Sequence, residues 1–338
     1  MKIEKDVSLQ SMNSFGLSAK ANRLVAIRSV EEVKELITIG LSAPFMILGG
    51  GSNCLFIDET YPGLVLKNEI HGIERVDEKK EAVILKIGAG ENWHDVVCWC
   101  VEHGYGGIEN LSLIPGTMGA APIQNIGAYG VEIKDVFHQL EAIDLQTGEV
   151  RIFDKEACQF GYRNSIFKHE LKGRFLITQV YLRLSKDKHQ LNTRYGAITS
   201  FLDKKGVTKP TIRDISEAVI AIRQSKLPDP STIGNAGSFF KNPEISPAQF
   251  ESLQAKFPNV VHYSGTNGSV KVPAGWLIEQ CGWKGKRVGN VGCYAQQALV
   301  IVNYGGATGE EIKAHALRVA ESVRDKFEIP LTPEVNFI

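Results

Sequence analysis

Apolar residues in this chain recur at two spacings, and each spacing predicts its own kind of element. Leu176, Thr178, Val180, Leu182 and Leu184 alternate with Ile177, Gln179, Tyr181 and Arg183, which is the period of a strand. Short apolar runs at 45–48 and 83–87 predict buried strands. Residues 138–145 and 149–153 predict a hairpin turning at Thr147 and Gly148, and 334–338 a last strand. Helical spacing runs from 92 to 103, where Trp93, Val96, Val97 and Cys100 share a face and Gly104 stands at the C-cap. Ser29 with Glu32 predicts a capping box for a short helix closed by Gly40. Residues 195–224 read as helix in two pieces broken at Gly206. Ser246, Pro247 and Gln249 open a helix carrying Phe250, Leu253 and Phe257, and 273–281 is a further short one. Thr308 and Glu311 cap the longest, with Ile312, Ala316, Val319, Val323 and Phe327 on its buried face. Strands and helices are mixed without a regular βαβ rhythm, so the expectation is α+β rather than a doubly wound sheet.

Length and charge narrow the picture. The 338 residues suffice for roughly two or three domains. Lys+Arg and Asp+Glu both number 38, so there is no basic surplus for a general nucleic-acid or membrane-surface binder, although one local diphosphate pocket is still allowed. The N-terminal residues lack the apolar core of a signal peptide, and no apolar run approaches the roughly 20 residues of a membrane span. Cys54, Cys98, Cys100, Cys158, Cys281 and Cys293 form no CxxC pair, and the eight histidines no HExxH or HxH spacing. The cysteines read as reduced thiols of a cytoplasmic protein, and no metal site is expected.

Five stretches could carry chemistry. In Gly234-Asn-Ala-Gly-Ser-Phe-Phe-Lys-Asn-Pro243, small residues surround the hydroxyl of Ser238, then two aromatics, a cation and an amide follow. This is either a turn whose serine bonds its own backbone or a site bringing a proton donor near a packed ligand. Gly49-Gly-Gly-Ser-Asn53 and the Gly/Ala/Asn-rich run 114–130 match neither a dinucleotide fingerprint nor a P-loop. Each alone reads as a packed turn; together they favour a ligand site, the first loop as an anion nest for a pyrophosphate and the second lying flat against a cofactor. Arg163, in Phe160-Gly-Tyr-Arg-Asn-Ser165, is either a solvated surface cation or a fork for a carboxylate. Glu334 alternates with Val335 and Phe337, which predicts a docked tail holding the carboxylate in place rather than a frayed one.

Six segments in order resemble the UDP-N-acetylenolpyruvoylglucosamine reductase family: 48–53, 114–130, 162–165, 234–243, 274–278 and 333–335. The resemblance implies a vanillyl-alcohol-oxidase-type FAD-binding fold with a C-terminal substrate-binding domain. The implied domains are 1–68 (joined by the strand 333–338) and 69–225 for FAD, and 226–332 for the UDP-sugar. It further implies NADPH-dependent reduction, through bound FAD, of the enolpyruvyl group of UDP-N-acetylglucosamine enolpyruvate in peptidoglycan precursor synthesis. Arg163, Ser238 and Glu334 fall on the family's catalytic positions, with Ser238 as proton donor and the other two stabilising an enolate-like species. FAD contacts carried over are Gly49, Gly50, Gly51, Ser52, Asn53, Gly116, Thr117, Gly119, Gln124, Asn125, Gly127, Ala128 and Tyr129. Substrate contacts are Tyr195, in an insertion of the family's long form, with Arg223, Lys226, Asn242 and Gln297. No histidine accompanies the first glycine loop, so FAD is expected to be noncovalent, and a cytoplasmic monomer is expected. The competing readings are an FAD oxidase of the same fold and a non-catalytic flavin- or UDP-sugar-binding protein.

Overall fold

The computed structural model describes residues 1–41 and 44–338. The chain divides into two compact units, each built from separated segments. The first comprises Met1–Val7, Ala21–Gly50 and Pro62–Ser225; the second comprises Ser8–Lys20, Gly51–Tyr61 and Lys226–Ile338.

The first unit holds two sheets. One orders the strands Ile3–Ser8, Lys20–Ile27, Thr60–Asn68 and Phe45–Leu48, the last two running parallel with Phe45 opposite Leu64. Helix Val30–Thr38 belongs to this layer, and its Val33 and Leu36 join Val25, Ile27, Leu64 and Leu66 in one core. The capping expected there is displaced. Ser29 Oγ accepts from Glu32 N at 3.2 Å, but the Glu32 carboxylate accepts from Arg28 N at 2.6 Å, one residue upstream of the cap.

The other sheet is antiparallel throughout, in the order Val150–Asp154, Phe137–Asp144, Phe175–Ser185, Ala82–Gly88 and Ile73–Glu78. Helix Trp93–Glu102 buries Trp93, Val96, Val97 and Cys100 in its core, the face that the spacing predicts. Helices Gly196–Lys204 and Ile212–Lys226 form a third layer around Ile198, Leu202, Ile215 and Val219. Tyr129 packs at its edge.

The second unit carries an antiparallel sheet in the order Gly234–Ser238, Val300–Asn303, Val291–Cys293 and Arg287–Val288. Helices Pro247–Lys256, Ala274–Gln280 and Gly309–Phe327 accompany it. Phe257 lies just past the end of its helix rather than within it. The expected tail strand is shorter than 334–338: only Asn336–Phe337 is strand, paired parallel to Cys54–Leu55. That partner segment clusters with the second unit, although its number falls within 1–68. Among the described residues no helix is long and apolar enough to cross a membrane, and no cluster of metal-ligating side chains occurs.

Candidate active site

In the first unit Gly49 and Gly50 lie against the second glycine-rich stretch. A Cβ on Gly50 would sit 2.9 Å from Gly116 Cα, so only glycine permits this approach of backbone to backbone. Lys67 Nζ donates to the Gly49 carbonyl. The N–H groups of Gly49, Gly50, Gly116 and Thr117 donate to no described residue. Gly49 and Gly50, just past strand Phe45–Leu48, and Gly116 and Thr117, in the loop against them, thus offer four main-chain N–H donors, a composition suited to a diphosphate.

Other residues of the 114–130 stretch are occupied by the protein itself. Gly119 N donates to Ala89 O at 2.8 Å. Asn125 is fully buried; its Nδ2 donates to Glu132 Oε2 (3.1 Å) and Gly161 O (2.9 Å), and its Oδ1 accepts from Lys134 N (3.2 Å). Gly127 and Ala128 pair with Glu132 and Val131 in a two-stranded ladder. Gly119 and Asn125 therefore shape the loop, whatever else they touch. Gln124 is half-buried beside them.

Arg163 sits at the tip of a tight turn closed by Gly161 N→Asn164 O (3.0 Å) and Asn164 N→Gly161 O (3.2 Å), with φ at +52°. Its Nη2 donates to Gly127 O at 2.7 Å, tying it to the second glycine stretch. Arg223, on helix Ile212–Lys226, donates through Nε to Leu113 O at 3.2 Å. Burial lowers its pKa, Tyr129 opposes that, and the positive charge of Arg163 lowers it further. Two guanidinium groups that repel each other in a desolvated setting favour an anion between or beside them. Burial raises the Tyr129 pKa, and its ring meets that of Tyr195 edge-on at 5.0 Å. Tyr195 is the N-cap residue of helix Gly196–Lys204 and is 43% exposed. The first unit thus gathers Tyr129, Arg163, Tyr195 and Arg223. Lys226 closes the second of its last two helices and is exposed.

In the second unit the sequence folds so that Ser238 and Glu334 become neighbours along paired backbone. Asn235 is buried and its Nδ2 donates to Pro228 O (3.2 Å) and Ile233 O (2.9 Å), while its Oδ1 accepts from Gly237 N at 2.9 Å. The resulting irregularity in the strand, with Gly237 at φ +68°, leaves Ser238 exposed while Phe239 and Phe240 turn fully inward. The C-terminal run then passes alongside: Lys241 N donates to Thr332 O at 2.9 Å and Glu334 N to Phe239 O at 2.8 Å. Val335 is buried, so the tail is docked as its alternation predicts.

Asn53 holds Glu334 from the other side. Its Nδ2 donates to Glu334 O at 3.2 Å, and its carbonyl accepts from Asn336 N at 3.1 Å. This positioning role is not visible in the sequence, where Asn53 reads only as part of a glycine loop. Asn242 Oδ1 accepts from Ala274 N at 2.9 Å at the start of helix Ala274–Gln280. Gln297 is adjacent to the same turn: a Cβ on Gly275 would lie 2.8 Å from its Oε1. Gly51 and Ser52 also belong to this unit, and Gly51 O accepts from Ser14 N at 3.1 Å. Lys67 and Leu113 are missed by the sequence reading. No local signal marks them, because each acts through a backbone carbonyl.

Comparison with known proteins places these features. Residues 21–154 match a family model described as an FAD binding domain. Residues 229–338 match the C-terminal domain of UDP-N-acetylenolpyruvoylglucosamine reductase. Full-length relatives bearing that enzyme name are 48% identical in Flavobacterium johnsoniae and 49% in Amoebophilus asiaticus, each covering 100% of both chains. The Pseudomonas aeruginosa relative is 46% identical over 99% of each chain. A crystal structure of UDP-N-acetylenolpyruvylglucosamine reductase from Thermus caldophilus is similar in fold, with a TM-score of 0.68 at 24% identity, covering 100% of this chain and 99% of that one. The fold is α+β, with an FAD binding domain followed by the family's C-terminal domain.

Proposed function

The chain belongs to the UDP-N-acetylenolpyruvoylglucosamine reductase family and is an FAD-dependent oxidoreductase, and from that premise we propose its substrate and the residues that act on it. The substrate is UDP-N-acetylglucosamine enolpyruvate, reduced at the expense of NADPH to UDP-N-acetylmuramate for peptidoglycan precursors. The setting is the cytoplasm and the protein acts as a monomer, with no nucleic-acid or membrane partner. Bound FAD supplies hydride transfer between the nicotinamide and the methylene carbon of the enolpyruvyl group. The residues present fit that cofactor: the N–H groups of Gly49, Gly50, Gly116 and Thr117 would hold its pyrophosphate, noncovalently.

The observation that carries the reading is the backbone pairing that sets Glu334 beside the Ser238 strand, Glu334 N to Phe239 O at 2.8 Å. A carboxyl group held there has the use that the family pattern gives it. Once a hydride arrives at the methylene carbon, negative charge develops on the carboxylate-bearing carbon. Ser238 delivers a proton to that carbon, and its own proton is replaced through Lys241 or water. Arg163 neutralises the developing charge, and Glu334 hydrogen-bonds the substrate carboxylate or holds a proton there. A placed donor of this sort is worth about 3 kcal/mol of barrier. Arg223, Tyr195, Lys226, Asn242 and Gln297 bind the rest of the substrate, Arg223 taking an anionic group.

Ser238→Ala tests this assignment. The variant should bind FAD and be bleached by NADPH without oxygen like the parent. Its yellow absorbance should return at least a hundredfold more slowly on adding the enolpyruvyl substrate, in line with about 3 kcal/mol. Reoxidation at the parental rate would remove Ser238 from the proton transfer. An unbleached parent enzyme would remove NADPH as the reductant.

A further inference from the structure

Arg223 owes its placement to a chain of two hydrogen bonds that ends on a histidine. Helix Trp93–Glu102 begins with Asn92, whose Oδ1 accepts from His94 N at 2.8 Å and Asp95 N at 3.2 Å. His94 is thereby fixed in the first turn. Its Nδ1 accepts from Leu113 N at 3.0 Å, and Leu113 O accepts in turn from Arg223 Nε at 3.2 Å. Leu113 itself is at φ +58°, a left-handed conformation that a leucine adopts at a cost of about 1 kcal/mol. Such a residue keeps that geometry only where its surroundings hold it. The groups holding its peptide units are His94 on one side and Arg223 on the other.

A main-chain N–H can only donate, so Nδ1 of His94 must be the unprotonated nitrogen and the ring is neutral in this arrangement. Its surroundings favour that state. Burial lowers its pKa and the Arg223 charge lowers it further, while Asp95 on its own helix opposes them. The Cys98 sulfur, one turn along, lies 3.7 Å from Nε2. Arg223 in turn faces Tyr129 and Arg163. A proton on Nδ1 would set donor against donor at Leu113 and add a third cation to the Arg163 and Arg223 pair.

We propose that His94 is a positioning residue for substrate binding: as a neutral acceptor it holds the Leu113 main chain, and the Leu113 carbonyl fixes Arg223 to receive an anionic group of the substrate. The proposal rests on the reading of Arg223 as a substrate contact. Its consequence has a definite sign. Substrate affinity falls as acid protonates His94, at a pH below the ordinary imidazole value of about 6.5, because the neutral form is the competent one. Attraction by added positive charge alone gives the opposite sign, tighter anion binding at acid pH.

The test is the dissociation constant of the enolpyruvyl UDP-sugar for the oxidised holoenzyme between about pH 5 and pH 8, with kcat and KM beside it. His94→Ala removes the acceptor and should weaken binding about fivefold at neutral pH, the worth of one hydrogen bond, with kcat changed less than about twofold. His94→Asn keeps an acceptor where Nδ1 lies but cannot be charged. It should restore affinity and abolish the acid weakening. Arg223→Lys, which loses the Nε bond but keeps the charge, should weaken binding at every pH. If Arg223→Lys weakens binding while His94→Ala does not, or if the parent binds more tightly in acid, the positioning role is overturned. If Arg223→Lys binds like the parent, the reading of Arg223 fails first and the proposal falls with it.

Discussion

His315 should make the second unit sensitive to acid. It lies on helix Gly309–Phe327 and is completely buried. Its ring meets Trp283 edge-on at 5.2 Å, Nε2 is 3.7 Å from Cys293 Sγ, and Nδ1 has no hydrogen-bond partner among the described residues. Burial, with added repulsion from Arg318 and Lys286, lowers its pKa to about 4. In the unfolded chain it titrates at about 6.5, so between the two values the unfolded state binds more protons. The stability that a neutral His315 confers is therefore fully present above about pH 6.5 and is lost as pH falls. Each tenfold difference in proton affinity between the two states is worth about 1.4 kcal/mol, which makes the loss about 2 kcal/mol at pH 5 and about 3 kcal/mol once the folded form is itself protonated. His315→Phe keeps a ring beside Trp283 and cannot take a proton. Urea unfolding of both proteins at about pH 7.5 and pH 5 isolates the effect, because carboxylates common to both cancel in the difference. The parent should lose about 2 kcal/mol more than the variant on acidification. Equal losses would refute the reasoning, since they would mean that His315 titrates alike in the folded and unfolded chains.

Two further substitutions bear on the glycine loop. Gly50→Ala pushes a methyl group into the Gly116 backbone, which cannot yield as a side chain would. Far-UV circular dichroism should stay near that of the parent while FAD binds at least about tenfold more weakly by flavin fluorescence titration, and affinity within twofold would show that the loops need not touch. Asn53→Ala removes the amide that grips the Glu334 carbonyl, a bond worth about 1 kcal/mol, so kcat should fall about fivefold at full FAD occupancy. A loss of FAD affinity with unchanged kcat would instead make Asn53 a cofactor ligand.

Local signals in the sequence were enough for most helices and for four of the five strands of the antiparallel sheet of the first unit. Caps such as Thr308 with Glu311, which form a reciprocal box in the structure, are written within four residues. The strands Ile3–Ser8, Lys20–Ile27, Thr60–Asn68 and Ile73–Glu78 are absent from the sequence reading. Thr60–Asn68 contains Pro62 and Gly63, which argue against a strand interior, and Ile73–Glu78 is mostly exposed and polar. The assignment of 8–20 and 51–61 to the second unit was equally hidden, because it depends on partners more than two hundred residues away, such as Asn303 Nδ2 donating to Phe15 O. Residue type singled out Arg163, Ser238 and Glu334 as candidates. It could not tell that Asn125 and Gly119 brace a loop, or that Leu113 links His94 to Arg223, since those roles run through backbone atoms.

The pairing of Asn336–Phe337 with Cys54–Leu55 also sets a timetable for the nascent chain. The bond from Asn53 to Glu334 spans 281 residues, so the two ends meet only after nearly everything between them has been synthesised. Until then Cys54–Leu55 is an open edge that a second chain could occupy, the usual route to intermolecular strand pairing. Contacts this distant in sequence form late and slowly. The carboxylate of Glu334 is thus among the last groups to reach its place, and a refolding chain should regain helix well before it regains turnover.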